Sequence, residues 1–143
     1  MIEIIPAIDL IDGKCVRLAQ GDFTRKKIYS TNPLETAKEF ENAGLKRLHI
    51  VDLGGAKNGK VTNLKVLETI AANTNLTIDF GGGIKTDEDL QSIFDAGASI
   101  ASIGSIAVRD PEKFFTWLWS VCALYKYNII EVTLASSNTW YFS

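Results

Sequence analysis

The sequence is poor in the residues that build most familiar sites. Its 143 residues include two cysteines, one histidine, one methionine and three prolines. Cys15 and Cys122 form no disulfide framework, and neither has an evident activating partner. With His49 as the only histidine, no histidine cluster can bind a metal, and no Ser-His-Asp arrangement is legible. Excess basic charge is also missing: the net charge is -2, which argues against bulk nucleic-acid binding. The chain start lacks the basic and apolar pattern of a secretory signal, and with so few cysteines this points to the cytoplasm. The longest nearly apolar run, Phe114 to Tyr125, falls short of the ~18 residues of a spanning helix, so no membrane partner is expected.

What is present is an alternation of strands and helices. Glu3 to Leu10 reads as a buried strand, although Pro6 sits awkwardly within it. Asp12-Gly13 marks a turn, and Cys15 to Leu18 forms a short antiparallel return. Gly21 to Ser30 reads as a polar loop. Asn32 caps a helix with Pro33 at its first position, and Gly44 ends it. Leu48 to Leu53 is a second strand, and Asn63 caps a second helix with Leu64, Leu67, Ile70 and Ala71 on its apolar face. Leu76 to Phe80 is a third strand; Thr86 then caps a helix whose first turn is acidic, as the helix dipole favours. Ser99 to Ile103 is a fourth strand, and Asp110-Pro111 opens a fourth helix. Strands each followed by a helix imply right-handed βαβ units on a parallel sheet. Ligands bind such sheets at the C-terminal ends of the strands.

Several features cluster at those ends. Asp9 and Asp52 each close an apolar strand, and Asp79 lies one residue before the end of its own. Partial desolvation at such a position raises a carboxylate's pKa, so Asp9 is either a general acid or base or simply a turn cap. Asp52 has the same two readings. Gly81-Gly82-Gly83 and Gly104-Ser105 follow adjacent strands. They either cradle one phosphate on backbone N–H groups or only make tight turns. Gly54 to Lys60 has the glycine and lysine spacing of a P-loop, but Val61 stands where a magnesium-binding hydroxyl belongs. It is expected to be a mobile basic loop rather than an ATP site.

These motifs, taken in order, carry a specific resemblance. Ile5-Pro6-Ala7-Ile8-Asp9-Leu10, Asp12-Gly13-Lys14-Cys15-Val16-Arg17-Leu18 and Gln20-Gly21-Asp22 resemble the start of the phosphoribosylformimino-aminoimidazole-carboxamide ribotide isomerases of histidine biosynthesis. Leu48 to Ala56, Gly81 to Ile84 and Ile103-Gly104-Ser105 continue it, so that the resemblance covers roughly residues 1–118. It implies the parallel α/β half-barrel, four βα units of a (β/α)₈ barrel that normally needs ~250 residues. It further implies an Amadori rearrangement of an aminoaldose with two phosphates, with no metal or redox cofactor. Asp9 would be the first catalytic aspartate, His49 and Asp52 substrate-binding, and Gly82, Gly83, Gly104 and Ser105 one phosphate site. The sister cyclase of the pathway is the alternative enzyme; Arg17-Leu18 with Gln20-Gly21 favours the isomerase. A non-catalytic phosphate-binding half-barrel is the alternative outside enzymes.

The resemblance stops near residue 118. Residues 119–143 hold no glycine and no aspartate, and their aromatics are Trp119, Tyr125, Tyr127, Trp140, Tyr141 and Phe142. They read as a tail foreign to the family, of the kind a shifted frame or premature termination gives, with a strand possible over 128–134. The second catalytic aspartate and second phosphate site of the family are absent, so the chain alone is expected to be inactive. Its first and fourth strands are expected to be open edges that favour self-association.

Overall fold

The computed structural model describes residues 2–124 and 129–132, with side chains through residue 120. Its strands are β1 (Ala7–Ile11), β2 (Lys14–Ala19), β3 (Asp22–Ser30), β4 (Arg47–Asp52), β5 (Thr77–Gly81), β6 (Ile100–Ile103) and β7 (Ile129–Val132). Its helices are α1 (Pro33–Asn42), α2 (Leu53–Asn58), α3 (Leu64–Asn73), α4 (Asp87–Asp95), α5 (Ser105–Arg109) and α6 (Pro111–Leu124). The strands form one sheet in the order β3-β2-β1-β4-β5-β6-β7. From β1 through β7 neighbouring pairs are parallel, while β2 and β3 add an antiparallel hairpin beside β1. The sheet does not close among the described residues. It is the half-barrel arrangement that the resemblance implies.

The elements start where their cap chemistry puts them. Asn32 accepts from the Glu35 N–H ahead of Pro33, and Thr86 and Asp89 form a reciprocal capping box. β1 begins one residue after Pro6, which resolves the proline conflict; the Pro6 carbonyl instead accepts from the His49 N–H at 2.9 Å.

Period-two alternation sorts the strands into two faces. Ile8, Leu10, Leu48, Ile50, Ile78, Phe80, Ala101 and Ile103 pack with Ala37, Leu67, Ile70 and Ile93 in a core against the helices. The strand register places Asp9, His49, Asp79 and Ser102 on the opposite face. Helix α6 joins the core through Phe114 and Trp117, and the Trp117 Nε1–H donates to Asp87 at 2.5 Å.

Four expectations are corrected. Gly21 to Ser30 is not a polar loop: residues 22–30 are strand β3, paired with β2 and closed by a turn in which Gln20 (φ 55°) and Gly21 (φ 75°) are both left-handed. The 54–60 segment is not a mobile loop: its first part is α2, which ends at a left-handed Gly59. Asn63 stands at the N-cap position of α3, but its side chain makes no cap there, being engaged elsewhere. Nor are the first and fourth parallel strands open edges, because β2 flanks β1 and β7 flanks β6. One outer strand is β3, where exposed Arg25, Lys26 and Lys27 oppose edge-to-edge pairing.

Helix α6 runs without interruption through residue 118, and β7 falls inside the strand expected over 128–134. The remaining aromatic-rich positions, 125–128 and 133–143, lie outside the described residues.

Candidate functional site

Asp52 leaves the end of β4 and caps α2. Its side chain is fully buried. One carboxylate oxygen accepts from the Gly55 N–H (2.7 Å), the Thr62 hydroxyl (2.8 Å) and the Asn63 amide (2.7 Å). The other accepts from the N–H groups of Thr62 (2.6 Å) and Asn63 (2.9 Å). Asn63 in turn accepts from the Gly13 N–H at 2.8 Å, tying the turn after β1 to the same knot. Asp52, the substrate-binding candidate, thus holds both ends of the 53–63 segment.

The second face carries a different arrangement. Asp79 is the centre of a chain across three strands. Ser102 Oγ donates to Asp79 Oδ1 at 2.8 Å, and His49 Nδ1 lies 2.6 Å from Asp79 Oδ2. Asp9 stands on the neighbouring strand, half-buried, beside a pocket of about 470 Å³ lined by Ala7, Asp9, Val16, Arg17, Lys27 and Tyr29. Burial raises the Asp9 pKa above the ordinary carboxylate value, and the charges of His49 and Arg17 pull it back in part. A carboxyl group in that state exchanges protons near neutral pH more readily than an exposed one. Tyr29, across the pocket, is pushed up to about 12, first by desolvation and then by Cys15 and Asp9. Cys15 is itself buried, and its thiol is held in the neutral form.

The glycine turns sit at the same end of the sheet. Gly82 (φ 105°) and Gly83 (φ 82°) are left-handed, and a Cβ on Gly83 would lie 2.6 Å from the Lys60 backbone. These glycines therefore satisfy the tight-turn reading outright, because the chain packs against the 52–60 segment with no room for a side chain. Gly104 caps the short α5 without a side-chain hydrogen bond, and Ser105 is exposed next to it. The two turns follow neighbouring strands, as the sequence order requires. Both turns lie at the C-terminal ends of adjacent parallel strands.

Asp79 and Ser102 were not assigned to the site by sequence. Asp79 was visible only as an acid near a strand end, and Ser102 carried no signal. Strand register joins them to His49, and register is not local information. Among the described residues, no group of three His, Cys, Asp or Glu side chains is gathered for a metal ion. None of the described helices is long and apolar enough to cross a membrane.

The family model described as histidine biosynthesis protein matches residues 3–124. A phosphoribosyl imidazole-4-carboxamide isomerase of Bacteroides thetaiotaomicron is 61% identical over 118 residues, which are 82% of this chain and 49% of that protein. The corresponding isomerases of Cytophaga hutchinsonii and Parabacteroides distasonis are 62% and 57% identical over the same length and the same shares. The chain thus spans about half the length of these curated relatives.

Proposed function

The chain belongs to the histidine biosynthesis protein family, and from that premise we propose that it carries one half of an aldose–ketose isomerase site for a ribotide with two phosphates. The relatives' names support the isomerase over the sister cyclase. In an Amadori rearrangement the sugar ring opens and a proton moves from the second carbon to the first. The change is internal, so no external oxidant or reductant is consumed. Asp9 is the proton-exchanging group on this half. The observation that carries the reading is its place in the middle of β1, on the polar face of the sheet, half-buried, with a raised pKa and a pocket beside it.

His49 meets the substrate from the next strand, and the turns at Gly82-Gly83 and Gly104-Ser105 hold one phosphate. Asp52 acts at one remove, by fixing the 53–63 segment against which Gly82 and Gly83 pack. The family-like part ends near residue 118, and the protein works in the cytoplasm. A binding half-barrel without turnover is the second reading. It is favoured by one observation: the chain spans about half the length of its curated relatives.

A fusion tests the assignment. Residues 1–118 of this chain are joined to the half of the Bacteroides thetaiotaomicron isomerase that they do not match. The expected outcome is turnover of the bis-phosphorylated substrate by the fusion and none by the present chain. Asp9→Asn in the fusion should reduce turnover by ~10²–10⁴-fold, the usual loss for a positioned acid or base. A folded fusion that binds the substrate without converting it selects the second reading.

A further inference from the structure

The Ser102–Asp79–His49 chain is not required by the proton exchange assigned to Asp9, yet it occupies the face where Asp9 works. We propose that Asp79 is a positioning residue which, oriented by Ser102, fixes the ring orientation and the protonated nitrogen of His49 so that the imidazole meets the substrate beside Asp9. What His49 meets rests on the isomerase reading above. The control of its ring rests on geometry alone.

Each member comes from a different parallel strand: His49 from β4, Asp79 from β5 and Ser102 from β6. The register pairs His49 directly with Asp79, so the two side chains stand next to each other on one face. Both oxygens of Asp79 are engaged, Oδ1 by the Ser102 hydroxyl at 2.8 Å and Oδ2 by the His49 ring at 2.6 Å. A carboxylate held at two points has one orientation. It accepts only, so the ring nitrogen facing it carries the proton. The 2.6 Å separation is in the range of a charge-assisted bond. This is the arrangement by which a carboxylate fixes the tautomer of a working imidazole.

Exposure is graded along the chain in the direction such a role requires. Ser102 and Asp79 are buried, while the His49 side chain keeps 14% of its surface accessible. Asp79 faces the His49 ring from β5, and Asp9 of β1 feels the charges of His49 and of Arg17 on β2. On β4, Arg47 lies two residues away and is drawn to Glu3 at 3.5 Å. Asp79 is in direct contact with the His49 ring, and the charge of His49 acts on Asp9. One carboxylate thus governs two working groups.

The test uses the full chain as it stands. His49 is the only histidine, so labelling histidine with ¹⁵N gives one ring and no assignment problem. At neutral pH the ring should show a protonated Nδ1. Asp79→Asn keeps an acceptor but removes its charge, and should lower the midpoint of the ring titration by about one pH unit or more. Asp79→Ala should in addition release Nδ1 and mix the tautomers. Ser102→Ala should move the midpoint in the same direction by less, and it stands as the test if the Asp79 variants do not fold. An unprotonated Nδ1 in the neutral wild-type ring overturns the proposal, as does an unchanged midpoint in folded Asp79→Asn. An unmoved midpoint in Ser102→Ala overturns the part given to Ser102. Failure of the isomerase reading would appear in the fusion assay instead, with these ring signals intact.

Discussion

Replacing Asp52 tests how the strand ends are held. The carboxylate accepts five hydrogen bonds in a site with no accessible surface, three from backbone N–H groups and two from side chains. Asp52→Ala leaves those donors without an acceptor. Part of the penalty is recovered when the 53–63 segment opens and water enters, so the net loss should be about 3–5 kcal/mol, as for removing one partner of a buried charged network. Asp52→Asn is the sharper variant. It keeps the shape but turns one oxygen into an NH₂ group. Whichever way the amide lies, its donors face two backbone N–H groups on one side or three donors on the other. The amide should therefore be nearly as destabilising as alanine, within about 1 kcal/mol, rather than a mild change. Urea unfolding of both variants gives the magnitudes. Hydrogen exchange at the Gly55, Thr62 and Asn63 amides shows whether the loss is local. If Asp52→Asn costs under ~1 kcal/mol and those amides stay protected, the knot does not hold this segment.

Other outcomes follow from the same contacts. Gly83→Ala combines a left-handed φ of 82° with a 2.6 Å approach to the Lys60 backbone, and should lose about 2 kcal/mol or more in urea unfolding. Asn63→Ala and Asp52→Ala should be non-additive, with a coupling of ~1–3 kcal/mol in a double-mutant cycle, because the two side chains share a bond and a loop. The raised pKa of Asp9 means its ionised form is disfavoured by folding. Its favourable contribution is complete below the unfolded value and is lost as pH rises through the folded one. Asp9→Asn should therefore gain on wild type in urea midpoint as pH rises above about 3.8, the ordinary carboxylate value; an unchanged difference contradicts the assigned burial effect. Tyr29 should ionise near 12 in an ultraviolet titration, and its contribution to stability should disappear between about pH 10, the unfolded value, and about 12. Tyr29→Phe should remove that part of the alkaline loss.

The parts legible in the sequence were those with local causes. Asn32-Pro33 and Thr86 with its acidic turn announce helix starts because capping needs specific groups within three residues. The four parallel strands read from the sequence are short apolar runs near glycines and helix caps. β3 was illegible for the opposite reason. Residues 24–29 are exposed, so no alternation of polar and apolar side chains marks a face. Its pairing is fixed by the Gln20–Gly21 turn, which has no Asn-Gly or Asp-Gly signature. Asp52 was visible as an acid at a strand end, but its fate depends on Thr62 and Asn63, which return to it ten and eleven positions later. Asp79 was seen as an echo of Asp9 and Asp52. Its partners come from the registers of β4 and β6, which only the assembled sheet reveals.

The division of the sheet into two faces explains how one half-barrel sustains a polar face at all. Ile8, Leu10, Leu48, Ile50, Ile78 and Phe80 are fully buried toward the helices, so the apolar driving force is collected on that side. The other face is released from packing and holds Asp9, His49, Asp79 and Ser102 at alternate positions of the same strands. Each of these polar groups has a neighbour that compensates it: Ser102 and His49 for Asp79, His49 and Arg17 for Asp9. At Asp9 burial outweighs the pull of His49 and Arg17. That imbalance is a cost to the fold. It is tolerable because the residues that carry stability point the other way along the same backbone, and because Asp52 locks the strand ends between the two faces.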